Sequence, residues 1–148
     1  MPDALAAAGR KPVPVASRAP EETLLAFDFG TRRIGVALGN TLTRSARPLE
    51  VIPAEPLKTR FARIAALLAE WQPDRVVVGL ALATDGSEQP ATGRCRRFAN
   101  QLHGRFGVAV ALQDERNSSL EAQAMQTRSG DDDALAAAVI LQRYLDAL

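Results

Sequence analysis

Two apolar segments separated by only three residues constrain the fold of this chain more than any other feature. Residues 24–29, LLAFDF, and residues 33–39, RIGVALG, both have the composition of β-strands. A connection of three residues is too short for the crossover that parallel strands require, so the two segments must form an antiparallel hairpin. The fold therefore starts with a β-meander, which the segment RPLEVI at 47–52 can extend.

The rest of the chain predicts an alternation of helices and strands. Apolar residues at three- and four-residue spacings, bounded by prolines or glycines, indicate amphipathic helices, and uniformly apolar segments indicate buried strands. The predicted helices run from Pro56 to Pro73, from 88 to 103 with an end at Gly104, from 120 to 127 and from 133 to 145, and the predicted strands are 75–82 and 107–112. The order β-β-β-α-β-α-β-α-α predicts an α/β domain with a mixed five-stranded sheet flanked by helices.

The composition predicts one soluble globular domain. The 148 residues are 47% hydrophobic and 24% charged, and no apolar run approaches the roughly 18 residues of a membrane span. Residues 1–22 lack the continuous apolar stretch of a secretory signal and are predicted to be a disordered tail that precedes the domain at 23–148. The single cysteine, Cys95, shares a predicted helix face with Phe98 and Leu102. It is expected in the core and fits a cytoplasmic location.

Three acidic residues stand at or beside the ends of different predicted elements. Asp28 interrupts an apolar strand, where burial of an unpaired carboxylate would cost roughly several kcal/mol. It must therefore be neutral, paired or bound to a cation. Glu115 follows the last strand directly, at the carboxyl edge where α/β sheets bind ligands. Asp133 begins the final helix and could be only its N-cap. Carboxylates that converge from several elements are also the ligands of a hydrolytic magnesium site.

The chain resembles the YqgF (RuvX-like) family of pre-16S rRNA processing nucleases and Holliday-junction resolvases. The resemblance lies in DFGTRRIGVALG at 28–39, SARPL at 45–49, EWQPDRVVVGL at 70–80, DER at 114–116 and DALAAAVILQRYL at 133–145. It implies an RNase H-like fold, and it implies that Asp28, Glu115 and Asp133 are catalytic acids that bind Mg²⁺ or Mn²⁺. The implied activity is hydrolysis of phosphodiester bonds at the 5′ end of pre-16S rRNA, with resolution of Holliday junctions as the alternative.

Residues for binding nucleic acid must be local, because the formal net charge of the chain is only +1. The candidates are the hydroxyl and arginine side chains beside the three acids or on the helix that follows the GSEQ loop: Thr31, Arg32, Arg33, Arg94, Arg97 and Arg116. Each arginine could instead be only solvated, and the hydroxyl could only complete the hairpin turn. The expected partner is structured RNA or, alternatively, a four-way DNA junction. The expected protein is a monomer or a weak homodimer that contacts no membrane.

Two other classes of protein stay open. The DFGT hairpin resembles the first phosphate loop of actin-like ATPases and sugar kinases, although those proteins close two such domains over ATP. A module that binds nucleic acid or the ribosome without cleaving it is the other alternative. The segment before Asp133 favours that module, because it is shorter than is typical of the family and lacks the family's run of lysines and arginines.

Overall fold

The computed structural model of the chain describes residues 21–116 and 132–148. Five strands and the helices between them follow the predicted order. They are β1 (Thr23–Phe29), β2 (Arg33–Asn40), β3 (Ser45–Pro53), α1 (Leu57–Trp71), β4 (Arg75–Leu80), α2 (Pro90–Phe106), β5 (Val110–Asp114) and α3 (Asp132–Asp146). Residues 1–20 of the predicted tail and the predicted helix at 120–127 lie outside the described residues. The boundary of the domain at residue 23 stays a prediction.

The five strands form one mixed sheet in the order β3-β2-β1-β4-β5. β1 pairs antiparallel with β2, and β2 pairs antiparallel with β3, as the short connections require. β1 and β4 are parallel, and so are β4 and β5, because helical crossovers connect them. The predicted mixed five-stranded sheet is therefore confirmed. Its central strand, β1, is the strand that carries Asp28.

Helices cover the sheet on both faces. Leu25 and Phe27 of β1 belong to the core under α1 and α2, whereas Leu24 and Ala26 pack with residues of α3 on the opposite face. Both sets are fully buried, which explains why the segment LLAFDF shows no alternation of apolar and polar residues. Within the described ranges, no helix is both long and apolar enough to cross a membrane.

The predicted ends of α2 and β5 are wrong by two or three residues. The helix begins at Pro90, a residue pre-organised for a first helical position, after a capping box formed by Gln89 and Thr92. It continues through Gly104 and ends where Gly107 adopts a left-handed conformation with φ 68°. The strand β5 consequently begins later than expected, and its partners on β4 carry it on to Asp114.

The strand predicted at 75–82 is also too long. β4 ends at Leu80, and Leu82 makes only an isolated bridge to Glu88 in the loop that follows. The last helix begins one residue before its predicted start and ends one residue after its predicted end. These shifts leave the strand order unchanged.

The two glycines near the end of α2 should respond in opposite directions to alanine. Gly104 lies inside the helix, and a β-carbon there would meet open space, so Gly104→Ala should stabilise the protein by about 0.5 to 1 kcal/mol. Gly107 has positive φ, so Gly107→Ala should destabilise it by about 1 to 2 kcal/mol. Urea unfolding measures both. The reverse pattern would place the end of the helix at Gly104.

Candidate active site

The carboxyl groups of Asp28 and Glu115 meet at the carboxyl edge of the sheet. Asp28 is the penultimate residue of β1, and Glu115 follows β5 directly, with its backbone N–H donating to Leu80 O at 3.2 Å. β4 lies between these two strands. Glu115 reaches across it because Gly79 has no side chain: a β-carbon there would overlap the Glu115 carboxylate and would lie 2.6 Å from Ile140 Cδ1.

Burial controls the protonation of this pair. Burial, the negative charge of Glu115, a hydrogen bond between the two carboxyl groups and the charge of Asp133 together raise the pKa of Asp28 to about 8. Burial also raises the pKa of Glu115, against the hydrogen bond from Asp28, which lowers it. Without a cation the pair therefore retains a proton at neutral pH, and Asp28 donates it to Glu115.

One oxygen of the pair is unsatisfied. Glu115 Oε1 is buried and has no hydrogen-bond partner, which is costly for a carboxylate. A divalent cation with oxygen ligands would satisfy this atom and would also replace the proton on Asp28. The two acids are therefore suited to bind a divalent cation.

Asp133 lies beside the pair but has a partner of its own. A β-carbon on Gly35, the residue paired with Asp28 across the hairpin, would overlap the backbone carbonyl of Asp133, so the first turn of α3 packs directly on β2. The Asp133 carboxylate forms an ion pair with Arg33, with Nε 2.9 Å from Oδ2. Among the described residues, no cluster of three or more histidine, cysteine, aspartate or glutamate side chains is arranged to hold a metal.

The candidate residues for nucleic acid lie in three different environments. Thr31 and Arg32 are exposed in the hairpin turn next to Asp28. Arg94 and Arg97 are exposed on α2 and line one pocket together with Thr31. Arg116 is engaged within the protein: its Nε donates to Asp114 Oδ2 at 2.7 Å and its Nη1 donates to Thr84 O at 3.2 Å, which links β5 to the loop after β4.

Sequence reasoning missed three residues that shape this region. Gly79 and Gly35 provide the space for Glu115 and for α3, and a glycine within an apolar strand is a recognised signal of such close approach. Arg60 is the third, an arginine of α1 that is only 6% exposed. Its spacing from Ile64, Leu67 and Trp71 places it on the buried face of the helix, which was the available signal.

Cys95 lies in the core, as expected, and His103 lies in the last turn of α2. Cys95 is 2% exposed in the core under α2. His103 is exposed, and its Nδ1 lies 3.1 Å from Val108 O, just after the end of the helix. Neither residue is part of the acidic pair.

Comparison with known proteins identifies the family. The RuvX family, described as Holliday junction resolvase, matches residues 22–147. A protein of Bordetella petrii, provisionally named pre-16S rRNA nuclease, is 71% identical over 129 residues, which are 87% of this chain and 98% of that protein. The chain belongs to the RuvX family. The family and the relative's name agree with the predicted activity of a nuclease.

Solved structures confirm the RNase H-like fold expected for a RuvX family member. T. thermophilus RuvC in complex with Holliday junction substrate is 20% identical, with a TM-score of 0.55, covering 84% of this chain and 94% of that one. The Fowlpox virus resolvase in complex with Holliday junction DNA is 14% identical, also with a TM-score of 0.55, covering 84% and 97%. At these identities the likeness concerns the fold alone.

The close packing of α3 on β2 should make Gly35 intolerant of any side chain. Gly35→Ala would push the start of α3 away from the hairpin, and overpacking of this kind costs about 1 to 3 kcal/mol or more. Urea unfolding measures the loss. Gly93→Ala is the matched control, because a β-carbon at this α2 position meets open space. Equal stability of the two variants would show that the backbone of Asp133 does not lie against Gly35.

Replacement of Asp28 by asparagine should stabilise the RuvX family protein in the absence of metal, increasingly so as the pH rises. The stability associated with protonated Asp28 is fully present below pH about 4 and is lost as the pH rises through about 8. The asparagine side chain does not titrate, and its amide could still donate to Glu115. In EDTA, the stability of the variant relative to wild type should therefore grow by up to about 1.4 kcal/mol per pH unit over this range.

Urea unfolding of both proteins at several pH values tests this expectation. If Asp28 were only a hydrogen-bonded core residue, asparagine would leave its partners mismatched and would destabilise the protein at every pH. Parallel pH profiles for the two proteins would therefore contradict the raised pKa.

Proposed function

We propose that this protein is a metal-dependent endonuclease that hydrolyses phosphodiester bonds at the 5′ end of pre-16S rRNA, in the cytoplasm. The observation that carries the proposal is the partly buried pair of Asp28 and Glu115, which retains a proton and leaves the buried Glu115 Oε1 without a partner. The stability of the fold does not require this arrangement, because burying two apolar side chains would cost less free energy. Membership of the RuvX family supports nuclease chemistry.

Asp28, Glu115 and Asp133 are proposed as the catalytic acids and as the ligands of Mg²⁺ or Mn²⁺. The chemistry that bound divalent cations supply is stabilisation of phosphoryl charge and a lower pKa for the attacking water. The chain itself must release the proton of Asp28 and turn Asp133 away from Arg33. Because the Arg33 side chain is 67% exposed, this ion pair contributes about 0 to 1 kcal/mol, which is a small cost for exchanging partners.

Arginine and hydroxyl side chains around the acids are proposed to bind the substrate backbone. Thr31, Arg32 and Arg33 extend from the hairpin turn that follows Asp28, and Arg94 with Arg97 extends from α2. Contacts of this kind position a phosphate without reading the sequence. Arg116 stays a candidate, although it must exchange its bond to Asp114 for one to phosphate.

The more similar relatives support RNA as the substrate. The protein named as a pre-16S rRNA nuclease is 71% identical to this chain, whereas the resolvases seen with junction DNA are 20% and 14% identical. RNA is therefore the proposed substrate. Resolution of Holliday junctions is the second candidate, because the family is described by that activity.

Cleavage of a substrate panel tests the proposal. The panel contains an RNA that joins the 5′ leader to the start of 16S rRNA, an unstructured RNA and a four-way DNA junction, each with Mg²⁺, with Mn²⁺ and with EDTA. Wild type should cut the leader RNA only with metal. Asp28→Asn and Glu115→Gln should lower the rate by orders of magnitude, because each removes a ligand. Glu70→Gln, at an exposed position of α1, should leave the rate unchanged.

The alternative outcomes are distinct. Cleavage of the junction alone would establish the second candidate. Binding of the leader RNA without cleavage by wild type under any metal condition would show a non-catalytic module.

Millimolar Mg²⁺ or Mn²⁺ should also raise the melting temperature of wild type more than that of Asp28→Asn, since a ligand that binds the folded state stabilises it. An identical rise in both would remove Asp28 from the metal site.

A further inference from the structure

A positively charged pocket of about 310 Å³ opens beside the hairpin turn, between α1 and α2. Phe29, the residue after Asp28, forms part of its wall, and Arg60, Arg94 and Arg97 line it together with a single acid, Glu55. Three guanidinium groups against one carboxylate favour an anionic ligand. The volume is at the lower end of the range of sites for small ligands, about 300 to 1,000 Å³.

Arg60 is a fixed cation at the base of this pocket. Its Nε donates to Ala54 O at 3.0 Å, and its guanidinium carbon lies 5.0 Å, 5.4 Å and 5.9 Å from the ring centroids of Phe29, Phe61 and Phe98. The rings and the carbonyl hold the planar group in one orientation. Among the described residues no carboxylate forms an ion pair with it. Glu55 stabilises its charge only electrostatically, without a hydrogen bond, so the guanidinium keeps donors to spare.

The four arginines of α2 have different surroundings. Arg94 and Arg97 are exposed, line the pocket and form no ion pair with any residue of 21–116 or 132–148. Arg96, on the same helix, is paired with Glu88 at 2.5 Å and does not line the pocket. Arg94 and Arg97 are therefore the arginines of this helix that share the pocket with Arg60, whereas the guanidinium carbon of Arg105 lies 3.9 Å from the ring centroid of Phe61.

We propose that this pocket binds a second backbone phosphate of the nucleic-acid strand that the acids cleave. Arg60 would be the pre-organised donor, since a guanidinium fork matches the oxygens of a phosphate, and Arg94 with Arg97 would close on it from solvent. Phe29 and Asp28 are consecutive in β1, so their side chains point to opposite faces of the sheet. A nucleic-acid strand that runs from the pocket to the acids must therefore cross the edge of the sheet. A phosphate bound in the pocket would fix which phosphodiester lies at the acids. The inference rests on the proposed function for the identity of the ligand.

Binding without cleavage tests the pocket. All proteins carry Asp28→Asn, and the probes are the leader RNA and the four-way DNA junction, followed by fluorescence anisotropy over a salt series. Arg94→Ala combined with Arg97→Ala should weaken binding of the preferred probe about tenfold or more and lower the slope of log affinity against log salt by about 1 to 2. Arg96→Ala, which removes one positive charge from the same helix, should change neither quantity.

Arg60 is tested by its own signal and by a conservative variant. The ¹⁵N resonance of Arg60 Nε should shift when the preferred probe is added, and Arg60→Lys should weaken binding because it lacks the fork. If Arg60→Lys fails to fold, binding by the double variant at the exposed positions 94 and 97 still tests the pocket. Equal binding by the double variant and by Arg96→Ala would overturn the pocket, and so would an Arg60 resonance that responds to inorganic phosphate but not to nucleic acid.

The two proposals fail separately. Absence of cleavage by wild type would overturn the nuclease and leave a measured loss of binding in the double variant intact. Cleavage by wild type together with unchanged binding in the double variant would retain the nuclease and remove the pocket. If neither probe binds any form of the protein, the pocket proposal is also wrong.

Discussion

The carboxyl group of Asp28, partly buried at the end of the central strand of the sheet, is the group on which the rest of the structure depends. Taking it out of water disfavours its charge, and Glu115 and Asp133 disfavour it further. The fold accommodates this group because glycines, which have no side chain, stand at two neighbouring positions. Gly79 leaves room for Glu115, and Gly35 leaves room for the start of α3. Both glycines would serve an ordinary core poorly, because a strand glycine packs nothing and costs backbone entropy.

The topology of the fold could be predicted because short connections leave few choices. Three residues between 24–29 and 33–39 permit only an antiparallel hairpin, and the long connections that follow permit parallel pairs. The ends of α2 could not be predicted in this way. Gly104 and Gly107 offer the same local signal for a helix end, and the choice between them depends on how the helix and β5 pack together. A window of sequence contains no information about that packing.

The proximity of Asp28 and Glu115 could be predicted from their places in the sequence. Asp28 stands in an apolar strand, and Glu115 stands where a strand ends at the ligand edge of the sheet. Their partners could not be predicted. Nothing in the sequence indicates that Arg33 pairs with Asp133 or that Arg116 pairs with Asp114, because surface arginines have many acids within reach. Arg60 was overlooked for the opposite reason: arginine is rarely buried, so its place on the apolar face of α1 carried little weight.

The alternation of side chains along β1 explains why the Arg60 cation and the pair of acids do not neutralise each other. Phe29 points toward α1 and α2, where its ring lies against the Arg60 guanidinium. Asp28 points the other way, toward Gly79 and α3, where Glu115 and Asp133 lie. If Arg60 and the acids lay on the same face of the sheet, an ion pair between them would satisfy both at a lower free-energy cost. Because the sheet separates them, Arg60 has no ion pair with a carboxylate of the described residues, and Glu115 Oε1 has no hydrogen-bond partner. A phosphodiester strand with its divalent counter-ions carries both kinds of charge.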